Sequence, residues 1–78
     1  MIKEIARELF ESRVRDVKFD ISQSDVKKHL YPTVDIAINS LFAVYVTIYE
    51  FFGEEIGHYV LNESYYPAVE ELKKIYGA

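Results

Sequence analysis

Between Ser40 and Gly53 the chain reads Leu-Phe-Ala-Val-Tyr-Val-Thr-Ile-Tyr-Glu-Phe-Phe, with Thr47 and Glu50 its only strongly polar members. The segment has the length of a helix, and Gly53 suits the position just past a helix C-terminus. Leu41, Phe42, Val44, Tyr45, Val46, Ile48, Tyr49, Phe51 and Phe52 cover more of the circumference than the ~100° stripe one core face needs. The rest of the 78-residue chain must therefore pack around this helix, and part of its surface is expected to stay open. A chain of this length has room for one domain, 1–78, burying about 60% of its unfolded surface. A membrane span is not expected: Ile36 to Phe52 includes Asn39, Ser40, Thr47 and Glu50 and falls short of the ~20 apolar residues a bilayer requires.

The flanking segments read as helices that could provide that packing. Ile2, Ile5, Ala6, Leu9 and Phe10 recur at three- and four-residue steps among charged residues, which predicts helix I from Ile2 to about Val14. Val17, Phe19 and Ile21 alternate with polar residues, but a lone five-residue strand is unstable, so an ordered loop is expected there. Ser24 can cap a short turn that stops near Leu30, because Pro32 restricts Tyr31. Helix II is expected over about 40–52 and a short helix III over about 54–61, the latter weakened by Gly57. Helix IV is expected over about 65–76, capped by Ser64 or Asn62, with Pro67 in its first turn and Val69, Leu72, Ile75 and Tyr76 as its stripe. The predicted fold is all-α, a small bundle of three to four helices with a long loop between helices I and II.

Charge and composition narrow the function classes. Nine basic against thirteen acidic residues leave a net charge of −4, which offers no field for nucleic acid. There is no cysteine, so disulfides, thiolate metal sites and a cysteine nucleophile are excluded together. The opening Met-Ile-Lys-Glu-Ile-Ala-Arg-Glu-Leu-Phe has no apolar block of signal-peptide length, which sets the cytoplasm as the expectation. Glu55 and His58 have the Glu-x-x-His spacing of di-iron bundles, but one such pair beside two glycines reads as a solvated surface, and His29 has no acid or nucleophile beside it.

Residues 35–41, Asp-Ile-Ala-Ile-Asn-Ser-Leu, resemble the acyl and peptidyl carrier protein motif Asp-Leu-Gly-x-Asp-Ser-Leu that precedes the second helix of that family. Chain length, acidity, the order of helices and the Phe-Phe-Gly-Glu-Glu-Ile that closes helix II extend the resemblance over essentially the whole chain. It implies a fold of acyl-carrier type and no enzymatic activity. Ser40 would carry 4′-phosphopantetheine from coenzyme A, with Asn39 and Leu41 beside it, and its thiol would hold acyl or aminoacyl thioesters. The implied partners are a phosphopantetheinyl transferase and loading, condensing or tailoring enzymes. A helix N-terminus suits such a phosphodiester, because unpaired N–H groups and the positive dipole end meet there; with Asn39 as the N-cap the Ser40 hydroxyl is free to react, whereas local sequence alone equally allows Ser40 itself to be the cap. Ala37 stands where the family usually has glycine and Asn39 where it most often has aspartate.

Glu50 is the only acid of helix II, so its expected docking surface is apolar and built from Phe42, Val44, Tyr45, Ile48 and Tyr49. That resembles carriers of polyketide or nonribosomal peptide pathways more than those of fatty acid synthesis. A monomer with weak self-association is expected. The competing class comes from Tyr65-Tyr66-Pro67, since a similar trio occurs in the small acidic helical immunity proteins that inhibit nuclease bacteriocins. Tyrosine pairs are favoured anchors at protein interfaces.

Overall fold

The computed structural model describes residues 1–77 and is all-α among them: α1 Ile2–Ser22, α2 Ser24–Leu30, α3 Val34–Phe52, α4 Glu54–Val60, a π-helical turn Leu61–Tyr65, and α5 Tyr66–Gly77. The molecule measures 36 × 18 × 17 Å, about the length of one long helix by the width of two. Three rods make the bundle. These are α1, α3, and the nearly continuous run of α4, π-turn and α5, with α2 as the link between the first two rods.

The helix that begins at Ile2 does not stop near Val14. Val14, Val17 and Ile21 continue the three- and four-residue spacing of Ala6 and Phe10, and these five form the buried stripe of α1. Phe19, which suggested alternation, points to solvent. The long loop is accordingly absent, replaced by the last turns of α1 and by α2. Ile2, Ile5 and Leu9 lie outside the core.

Helix II also differs, beginning at Val34 rather than near residue 40. Thr33 has an extended backbone and its hydroxyl accepts from the Ile36 N–H at 3.3 Å, the geometry of an N-cap. Pro32 just before it helps to end the preceding segment. At the other end Gly53, with φ +96°, terminates α3 in a conformation L side chains rarely adopt. The helix buries Ala37, Leu41, Tyr45 and Ile48.

Ion pairs and hydrogen bonds fix how the rods align. Arg13 meets Ser40 while Leu9 shares a groove with Ala43, Val44, Thr47 and Ile48, so α1 and α3 run antiparallel. Lys3 pairs with Glu55, Arg7 with Tyr59, Glu11 with Ser64 and Lys18 with Glu71, so α1 and the third rod run parallel. The sequence offset is 52 at Arg7–Tyr59 and 53 at Glu11–Ser64 and Lys18–Glu71. The π-turn between these contacts supplies the extra residue. It also lies just before Pro67, whose ring would clash with the carbonyl four residues back in a regular helix.

Ser64 is therefore not a helix cap. It is buried, and its hydroxyl donates to Glu11 Oε2 at 2.8 Å, the oxygen that also accepts from Arg7 Nε at 2.8 Å. In α5 the buried residues are Ala68 and Leu72, Val69 and Tyr76 are half-buried, and Ile75 is exposed.

The Arg7 guanidinium, aided by the Ser64 hydroxyl and opposed by burial, holds the Glu11 carboxyl below the usual range. A folded-state value below the unfolded one makes the pair's stabilisation complete above the unfolded value of about 4.3, and lost as pH falls through the depressed folded value. Thermal melts from pH 6 to about pH 2 should show that acid loss, and Glu11→Gln should flatten it. An unchanged acid limb in Glu11→Gln would contradict this role.

Candidate functional site

Ser40 lies near the end of the second turn of α3, not at a helix start. Within the helix its N–H is committed to the carbonyl four residues back, so the unpaired donors expected around a phosphodiester are absent at this residue. They belong to the start at Val34, where Thr33 is the cap and Asp35 occupies the first turn. Asn39 is an exposed mid-helix residue and not an N-cap. Leu41 is fully buried. Ala37 is likewise fully buried in regular helix, so this position does not call for glycine.

The Ser40 side chain has a structural partner. The Arg13 guanidinium donates to Ser40 Oγ at 2.9 Å and to the Tyr31 hydroxyl at 3.3 Å, tying α1 to the start of the second rod. Tyr31 is buried at the end of α2, and its carbonyl accepts from the Tyr76 hydroxyl at 2.6 Å. Arg13 thus joins a polar network reaching from α1 through Tyr31 to α5.

The expected docking residues divide between core and surface. Tyr45 and Ile48 are buried, because they lie on the stripe shared with Ala37 and Leu41, and their roles as free docking residues are corrected. Val44 and Tyr49 are half-buried. Phe42 alone is open, at 48% exposure.

Phe42 is joined by aromatic residues of the π-turn and the start of α5. Tyr65 sits at the centre, with ring centroids 6.0 Å from Phe10, 6.1 Å from Phe42, 5.4 Å from Tyr45 and 5.8 Å from Tyr66. Tyr45 and Tyr49 are 6.1 Å apart, and Tyr49 lies 6.0 Å from His58. Tilted and edge-on rings at these distances add favourable contact beyond area alone. The layer runs from the fully buried Phe10 to Phe42 and to Tyr66, which is 54% exposed.

Burial pushes the hydroxyls of Tyr45 and Tyr65 up from their ordinary value, so both stay neutral at physiological pH. The rings of this face thus carry no charge, and their phenol groups can donate. Two open rings stand on an inner layer that limits their rotamers, an arrangement suited to binding a preformed surface. Tyr65-Tyr66 was visible as a pair in sequence, but its convergence with Phe42 depends on the π-turn.

Glu55 and His58 are exposed, and no group of three or more metal-ligating residues occurs among the described residues. No family model, curated protein or solved structure matches the chain.

Proposed function

We propose that this chain is a small acidic protein-binding module of inhibitor type. The observation that carries the reading is the aromatic face, where exposed Phe42 and Tyr66 are braced by Tyr65, Tyr45 and, beneath them, Phe10. Aromatic anchors of this kind dominate binding energy at interfaces. The net charge of −4 favours a basic partner, for which long-range attraction speeds encounter.

Interferometry of the immobilised chain against a panel of purified basic nuclease domains tests this. Saturable binding to at least one is expected, weakened at least about tenfold by Tyr66→Ala and by Phe42→Ala at unchanged helical circular dichroism. Absence of binding across the panel, or binding indifferent to both substitutions, would count against it.

The carrier reading is the second proposal, and the Arg13 guanidinium 2.9 Å from Ser40 Oγ is the observation in its favour, since a cation there would pair with a phosphodiester. Against it stand the mid-helix position of Ser40 and the engagement of its hydroxyl in the framework. The geometry therefore favours binding through the aromatic face.

A further inference from the structure

The side of α3 that faces α1 carries a second apolar surface, separate from the aromatic face. Three shallow concavities share Leu9: one with Met1 and Ile5, edged by Glu4 and Glu8, one with Ala43, Val44, Thr47 and Ile48, and one with Thr47, Ile48, Phe51 and Phe52. Ile2, Ile5 and Leu9 recur at steps of three and four along α1, all half-exposed, and Phe51 projects from α3 at 81% exposure. Ala43 and Thr47 are small and exposed, which permits close approach of another helix.

We propose that this seam between α1 and α3 is a self-association surface through which two copies pair about a two-fold axis. Each copy offers both a projecting ring, Phe51, and a groove of the kind that ring can fill, as an isologous interface requires. The charges of α1 beside the seam are already paired within the chain, the Met1 amino group with Glu4, Lys3 with Glu55 and Glu8 with Arg15, so they call for no partner of opposite charge. Covering Met1, Ile2, Ile5, Leu9 and Phe51 would bury on the order of 600 Å² per copy, about 1,200 Å² in total. That lies at the low end of specific interfaces, so the dimer is weak and concentration-dependent.

A lipid bilayer is the rival occupant, because Val34–Phe52 is long and apolar enough to span one and only 22% of that window is buried. Insertion would, however, strip Leu41, Tyr45 and Ile48 from their contacts and carry Asn39, Ser40, Thr47 and Glu50 into hydrocarbon.

Sedimentation equilibrium of the full chain from micromolar to millimolar concentration tests the proposal. The average mass is expected to rise from 9.1 kDa toward twice that value. Phe51→Glu should hold the monomer mass at unchanged circular dichroism, whereas Phe42→Glu, on the aromatic face, should pair like the parent. Monomer mass throughout, equal association of Phe51→Glu, or flotation of the parent with phosphatidylcholine vesicles would overturn it. Because the two substitutions lie on different faces, failure here leaves the binding role of Phe42 and Tyr66 independently testable.

Discussion

Phe10→Ala is expected to remove about 3–5 kcal/mol of stability, the usual cost of emptying a buried aromatic site. Phe10 is fully buried on the inner stripe of α1 and supports Tyr65 from below at 6.0 Å. A domain of 78 residues has on the order of 4–12 kcal/mol in all, so the variant should lose about a quarter or more of its urea midpoint. The cavity would open beneath the aromatic face and remove the fully buried one of the four rings packed around Tyr65. Phe42→Ala, at the outer edge of the same layer, should cost less than about 1 kcal/mol. Urea titrations of the two variants check the contrast, and equal losses would mean that the inner and outer rings are not distinguished as described.

Gly57→Ala is expected to destabilise, by about 1–3 kcal/mol, although alanine is the better helix former by about 1 kcal/mol. The cause is the Tyr49 ring: a Cβ at residue 57 would stand 2.5 Å from its Cδ2 and 3.0 Å from its Cγ. Cγ is at the root of the ring, so no swing of a flexible tip relieves the contact. Tyr49 is held further by Tyr45 and His58. The sign should therefore depend on the background. In Tyr49→Ala the same Gly57→Ala change should become stabilising, because only the helix preference remains. Thermal or urea melts of the four proteins in this cycle check it, and a stabilising Gly57→Ala in the parent would refute the close packing of α4 on α3.

Local sequence carried the all-α class, the existence of each helix and the stop at Gly53, because these rest on apolar spacing and on backbone preferences that packing did not override. Two boundaries failed for identifiable reasons. Val17, Phe19 and Ile21 alternate, yet Val14, Val17 and Ile21 equally fit a helical stripe, and only contact with the other rods selects the second pattern. The start of α3 lies six residues before the expected one, because Thr33, Asn39 and Ser40 are all good N-cap residues and only the folded chain selects Thr33, whose hydroxyl caps the helix. The π-turn has no local signature beyond Pro67, since it answers a register demand between two rods.

The candidate site was legible to a similar degree. Phe42 and the Tyr65-Tyr66 pair were visible as aromatic residues with more than one use. Their meeting on one face depends on the extra residue of the π-turn and on Phe10, which lies 55 positions before Tyr65. The bond from Arg13 to Ser40 joins residues 27 apart and could not be read from either segment alone.

Ser40 belongs to the framework through its bond from Arg13, and the proposed binding role falls to the aromatic face. Incubation with coenzyme A and a broad-specificity phosphopantetheinyl transferase, followed by intact-protein mass spectrometry, separates this reading from the carrier one. An unchanged mass is expected under conditions that fully modify a control carrier. Addition of one phosphopantetheine, abolished by Ser40→Ala, would contradict it and establish the carrier reading instead.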